Sequence, residues 1–84
     1  MTRDEFLERF DPFINNEDVM FADGFDEAII GVAERIGMEP VVAYDTNKII
    51  EILSREMTED EAVEYFEFNI LGAYMGERTP VFVG

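Results

Sequence analysis

Acidic side chains outnumber basic ones 20 to 6 over only 84 residues, which gives the chain a net charge of −14. Such a chain stays compact only if apolar burial outweighs the repulsion among its carboxylates. Hydrophobic residues make up 48% of the sequence and include eight Phe, whereas disordered acidic chains are poor in such residues. The sequence therefore predicts one folded domain over residues 1–84 with a strongly negative surface.

Residues 1–23 are expected to hold a short helix and a connecting segment. Thr2 and Glu5 have the spacing of a capping box. An apolar stripe of helical spacing follows at Phe6, Leu7 and Phe10. The helix should end before Pro12, and residues 11–25 read as irregular, with a short extended piece at residues 19–21.

Residues 26–36 fit two interpretations. Ile29, Val32, Ala33 and Ile36 have the spacing of a helical stripe, with Gly37 as its C-terminal cap. Against a helix, residues 29–32 are β-branched around a central Gly, which costs a helix about 1 kcal/mol relative to Ala. A second β-rich run, residues 41–44, follows at hairpin distance. We favour a β-hairpin.

The second half of the chain has clearer signals. Asp45 or Thr46 is placed to cap one helix, and Thr58 with Glu61 forms a second capping box for a helix over residues 59–75 that Gly76 ends. Residues 79–83 then read as a strand that starts near Pro80. The predicted fold is a small α+β domain in which the hairpin and the C-terminal strand form a three-stranded, mostly antiparallel sheet packed with two or three helices.

Two parts of the chain resemble a known family. They are residues 26–32 with 42–45, and residues 61–69 continuing through residues 72–76 to 79–82. Together they resemble a family of short acidic proteins, mostly uncharacterised, that are encoded in bacteriophage and prophage genomes, and the similarity covers residues 24–83. The resemblance implies a viral gene product that acts in the cytoplasm of a bacterial host. It brings no catalytic or binding residues with it.

The helix after Thr58 carries the candidate binding residues. Asp60, Glu64 and Glu67 share one helical face, and Asp60 and Glu64 lie about 6 Å apart along the axis, a scale compatible with mimicry of a phosphate backbone. Tyr65 and Phe68 extend the apolar character of the helix beyond the face that holds Val63, Phe66, Ile70, Ala73 and Tyr74. Such a helix is either central in the core, with a solvated acidic ridge, or partly covered by a partner.

Other candidate sites have simpler explanations. The acids around Gly24 lack the ligand alternation of a calcium loop, so we expect a turn there and no metal. Asn69 is expected to satisfy a nearby backbone group. With no His, no Cys and no phosphate-binding glycine loop, the chain offers no catalytic residues, and we expect a non-enzymatic protein without cofactors.

The charge also restricts the partners. Nucleic acid and anionic membranes would be repelled, whereas a basic protein would be attracted. The leading hypothesis is an acidic phage protein that binds, and inhibits by nucleic-acid mimicry, a basic host protein such as a defence or nucleic-acid-binding factor. The alternative is a small accessory protein that self-associates as a homodimer through its wide apolar helix.

Overall fold

The computed structural model describes residues 1–10, 19–71 and 79–84, and it confirms the α+β class. In chain order the elements are α1 (Arg3–Phe10), β1 (Ile29–Arg35), β2 (Met38–Asp45), α2 (Thr46–Leu53), α3 (Glu59–Tyr65) and β3 (Val81–Val83). A single 3-10 turn, Asp26–Ala28, precedes β1, and a π-helical segment, Phe66–Leu71, continues α3. Within these ranges no helix is long and apolar enough to cross a bilayer.

The N-terminal helix forms as its capping pattern predicts. The Glu5 backbone N–H donates to Thr2 Oγ1 at 3.2 Å, and the Thr2 N–H donates to Glu5 Oε1 at 3.4 Å. These two bonds satisfy donors that the first turn of a helix would otherwise leave unpaired. Phe6 lies on the inner face of α1 and is fully buried. Pro12 and the rest of residues 11–18 lie outside the described part of the chain; residues 19–22 join no strand, so the extended piece expected at 19–21 is not part of the sheet.

The ambiguous segment is a β-hairpin, as favoured above. β1 and β2 pair antiparallel, with Val32 opposite Val42 and Ala33 opposite Val41. The register shifts between Ile29 and Gly31, where Gly31 has φ +152°, a backbone conformation that side chains rarely adopt. Gly37 turns the chain between the strands with φ +74°. Gly31, which would weaken a helix, lies at the bulge, and Gly37, the expected cap of the alternative helix, lies at the turn.

The sheet is mixed, with the order β1–β2–β3. The predicted combination of a hairpin and a C-terminal strand is confirmed, and β3 runs parallel to β2, with Tyr44 opposite Phe82. Parallel neighbours need a crossover connection, which here contains α2 and α3. The strand begins one residue after Pro80, which is itself buried.

The core is centred on the second half of β2, where residues 41–44 are all buried. A strand with a neighbour on each side and both faces covered reads as a continuous apolar run. The Tyr44 ring stacks on Phe82 at 5.8 Å between centroids, and Phe82 meets Phe66 edge-on at 5.3 Å. The Tyr44 hydroxyl accepts a hydrogen bond from the Ala22 N–H at 2.8 Å, which ties the irregular segment before β1 to the central strand.

The two later helices begin at their predicted caps. The Asp45 carboxylate accepts from the backbone N–H groups of Asn47 at 2.9 Å and Lys48 at 3.4 Å, so Asp45 caps α2. Thr58 and Glu61 form the complete capping box of α3. The helix expected over 59–75 is α-helical only to Tyr65 and π-helical from Phe66 to Leu71; the expected end at Gly76 lies outside the described residues.

The buried face of α3 differs in part from the one expected. Phe66 is buried and Ile70 is half-buried, in agreement with the helical stripe. Val63, however, is 40% exposed, and the neighbouring Ala62 is fully buried. Ala62, and not Val63, therefore lies on the buried side of α3. Ala73 and Tyr74 fall outside the described residues.

Candidate functional site

Carboxylates without ion-pair partners are concentrated on α3 and the start of its π-helical continuation. Five exposed acids lie between residues 59 and 67, at Glu59, Asp60, Glu61, Glu64 and Glu67, with no basic residue among them. Among the described residues the ion pairs join Arg3 to Asp23 and Asp26, Lys48 to Glu51, and Arg55 to Glu27. This helix therefore presents uncompensated negative charge, although the acids are spread along the whole sequence.

Helix stability explains only part of this charge. Glu59, Asp60 and Glu61 lie in the first turn, where the helix dipole favours negative groups, and Glu61 also completes the capping box. Glu64 and Glu67 lie further along, where the dipole no longer helps. Asp60 and Glu64 are like charges four residues apart, which costs a helix roughly 0.2–0.5 kcal/mol. The carboxylates of Glu64 and Glu67 thus have no stabilising role in the helix itself.

A shallow groove of ≈ 440 Å³ lies along this helix and combines acids with apolar side chains. We call it the acidic groove; its lining residues are Met57, Glu61, Glu64, Tyr65, Phe68 and Asn69. Phe68 is 75% exposed and Tyr65 44% exposed, so two aromatic rings face solvent beside unpaired carboxylates. Exposed apolar side chains that are grouped in a depression make it a candidate interaction site.

The groove brings together three of the five residues that the sequence singled out. Glu64, Tyr65 and Phe68 line it, whereas Asp60 and Glu67 are exposed but do not. The expected alignment of Asp60, Glu64 and Glu67 assumed 100° per residue throughout. The π-helical segment starts at Phe66 and has more residues per turn than an α-helix, so Glu67 is rotated from the position that an α-helix would give it.

Three groove residues were not among the predicted site residues: Met57, Glu61 and Asn69. The signal that identifies two of them is a spacing of four: Glu61, Tyr65 and Asn69 form one row, and Glu64 and Phe68 form the row beside it. A purely acidic ridge of Asp60, Glu64 and Glu67 does not include this mixed face.

Asn69 supports the π-helical segment. Its Nδ2 donates to the Tyr65 carbonyl oxygen at 3.3 Å, four residues earlier, which confirms that it satisfies a backbone group. π-Helical turns are rare and occur frequently at functional sites. The amide thus joins the carbonyl of one groove residue to the turn that carries Phe68.

The acids around Gly24 are occupied by cations of the chain itself. The Arg3 guanidinium bonds to Asp23 and to Asp26, the latter at 3.0 Å from Nε to Oδ1, and these two partners raise the pKa of Arg3. The Arg55 guanidinium makes a two-pronged contact with Glu27, at 3.1 and 3.3 Å, and thereby lowers the pKa of the Glu27 carboxyl. Nowhere in the described ranges do three or more acidic side chains converge as metal ligands.

Comparison with known proteins adds no family to these observations. No family model, no curated protein and no solved structure matches the chain. The chemistry of the site therefore has to be inferred from the groove itself, which offers carboxylate acceptors and aromatic faces.

Proposed function

We propose that this protein binds a basic protein through the acidic groove and has no catalytic activity of its own. The observation that carries the proposal is the placement of unpaired carboxylates beside the exposed Tyr65 and Phe68 rings. A carboxylate forms charge-assisted hydrogen bonds with Lys or Arg. An aromatic face attracts the same cations and covers their aliphatic stems.

The charge of the whole chain supports the same kind of partner. A net charge of −14 attracts a Lys- and Arg-rich surface over a distance and accelerates encounter. Two copies meeting at the acidic groove would instead bring Glu61 and Glu64 of each copy together, and like charges across an interface are costly. The charge thus favours a basic partner over self-association.

A basic surface that normally binds nucleic acid is the natural target, because its cations are already arranged to receive a row of anions. In this proposal the protein occupies that surface and competes with nucleic acid. The resemblance to phage-encoded proteins suggests that the target is a protein of a bacterial host, met in the host cytoplasm, such as a defence nuclease or a transcription component.

The test is a capture experiment with two double variants of equal charge. Glu64→Lys with Glu67→Lys alters the helix beside the groove, and Glu8→Lys with Glu34→Lys alters exposed acids elsewhere. Tagged forms of all three proteins are incubated with bacterial lysate at low and raised salt. We expect the unaltered protein and the Glu8/Glu34 variant to retain a basic protein that added duplex DNA releases, and the Glu64/Glu67 variant to lose it.

Association rates with the captured protein sharpen the result. Reversal at Glu64 and Glu67 should slow association well beyond the effect of the matched reversal, and the rate of the unaltered protein should fall as ionic strength rises. If both double variants slowed association equally, net charge alone would explain binding and the groove would have no special role. An affinity that does not change with salt would also count against the proposal. A dimer in sedimentation that shields Tyr65 and Phe68 would favour self-association instead.

A further inference from the structure

A second depression lies on the other side of Tyr65 and Asn69, and its lining is mainly apolar. It has a volume of ≈ 270 Å³, and Phe21, Phe25, Tyr65 and Phe82 contribute aromatic rings to it. We call it the aromatic cleft. Tyr65 and Asn69 line both this cleft and the acidic groove, so the two depressions share one wall.

We infer that the aromatic cleft receives an apolar side chain of the same partner segment whose Lys or Arg lies in the acidic groove. The inference rests on the proposed function, because the cationic residue in the groove brings the segment to this surface. It adds to that function a rule for the recognised sequence, namely an apolar anchor within a few residues of a cationic one.

The charges around the cleft favour an apolar occupant. Asp23 is the acid in its lining, and the Arg3 guanidinium already pairs with it. Arg3 also lies over the Phe21 ring, 4.9 Å from the centroid, so a positive charge is present at this edge. A second cation would find the Asp23 carboxylate and the Phe21 ring already engaged by Arg3, whereas an aliphatic or aromatic side chain would gain contact with the rings.

Binding energy at interfaces is concentrated in buried anchors of this kind. A few residues that fill well-packed pockets dominate affinity, and surrounding charged pairs mainly provide orientation and encounter rate. The groove is shallow and open to solvent, so its cation contacts alone would give weak, salt-sensitive binding. An anchor in the adjoining cleft supplies the contribution that salt does not screen.

Because the cleft should bind the apolar side chain and the groove the cationic one, two small probes should affect different parts of this surface. N-acetyl-leucine amide should shift the NMR signals of the Ile70 methyl groups, which lie at the cleft, and leave the Met57 methyl group, which lies at the groove, unchanged. N-acetyl-lysine amide should do the reverse.

Peptides then test whether the two depressions act together. One set carries a Lys pair alone, and the other carries the same pair with a Leu placed one to four residues away. We expect the best Leu-containing peptide to bind about tenfold more tightly than its Lys-only counterpart, the change that burial of one aliphatic side chain produces. Raised salt should weaken both but preserve the ratio.

A blocking variant assigns the gain to the cleft. Ala22 lines the cleft, so Ala22→Leu should reduce the tenfold ratio to near one and leave binding of the Lys-only peptide intact. The NMR shifts of the unaltered protein provide the same test if this variant is unstable. Lysine peptides that bind at the groove with no gain from Leu would overturn this inference and spare the proposed function. No binding of any lysine peptide at the groove would overturn both.

Discussion

The hydroxyl of Tyr44 offers the sharpest test of how this fold is held together. Tyr44 is fully buried in the central strand, and its oxygen accepts the Ala22 N–H at 2.8 Å. Tyr44→Phe preserves the ring that stacks on Phe82 and deletes only the acceptor. The Ala22 N–H then loses its partner, and an unsatisfied buried donor costs about 1–3 kcal/mol.

The position of Ala22 sets the estimate within that range. Ala22 is only half-buried, so water can reach its N–H in part, and we expect a loss of about 1.5 kcal/mol in the free energy of unfolding. For a domain of this size the corresponding fall in Tm is roughly 6–12 °C, at about 4–8 °C per kcal/mol. Urea titration and thermal melting, both followed by circular dichroism, measure the two quantities.

Tyr65→Phe is the matched control. Tyr65 is 44% exposed, and its hydroxyl makes no hydrogen bond among the described residues. Loss of this hydroxyl should change the free energy of unfolding by no more than about 0.5 kcal/mol. Equal stability of the Tyr44→Phe variant and the unaltered protein would refute the account of the Ala22 contact.

The same variant also tests how the free energy of unfolding depends on pH. Burial raises the pKa of Tyr44, so above pH about 10 the unfolded chain releases a proton that the folded protein retains. The stability that Tyr44 contributes is therefore complete below pH about 10 and is lost as pH rises through the folded-state pKa. The advantage of the unaltered protein over Tyr44→Phe should shrink with alkali, by at most about 1.4 kcal/mol per pH unit.

Three further predictions test a helix cap, a buried side chain and a surface ion pair. Thr58→Ala removes a capping box and should cost about 1 kcal/mol in a urea titration, whereas Thr58→Ser should cost little, and equal losses would argue against the cap. Phe66→Ala empties a site that is 5% exposed and should cost about 3–5 kcal/mol, while Phe68→Ala should leave the Tm nearly unchanged; similar melting of both would contradict the assigned burial. Arg55→Gln should raise the pKa of Glu27 toward its ordinary value in a carboxyl NMR titration, and an unchanged pKa would show that the pair does not form in solution.

The elements that local chemistry encodes were predictable from the sequence. Each helix start has a side chain of a type that caps helices: Thr2, Thr58, and Asp45, which the sequence left as an alternative to Thr46. The hairpin could be favoured because residues 29–32 are β-branched around Gly31, which disfavours a helix, and because a second β-rich run follows at hairpin distance. These signals act within a few residues, so no knowledge of the rest of the fold is needed to interpret them.

Features that depend on distant parts of the chain were less accessible. Whether Val63 or Ala62 faces the core depends on how closely α3 approaches its neighbours, which periodicity does not reveal. The π-helical turn that contains Asn69 moves Glu67 out of line with Asp60, and the 100° spacing assumed for an α-helix does not reveal it. The sequence thus indicated the helix that lines the groove but only part of the face that the groove exposes.

The crossover that joins β2 to β3 also affects the order in which parts of the protein fold. Ala43 and Val81 are paired in the parallel ladder although 38 residues separate them, so closing this loop requires a large loss of chain entropy. The β1–β2 hairpin is local and has no such requirement. Because Phe82 of β3 lines the aromatic cleft, that cleft is complete only after β3 has paired with β2, whereas the acidic groove is built within the single segment 57–69.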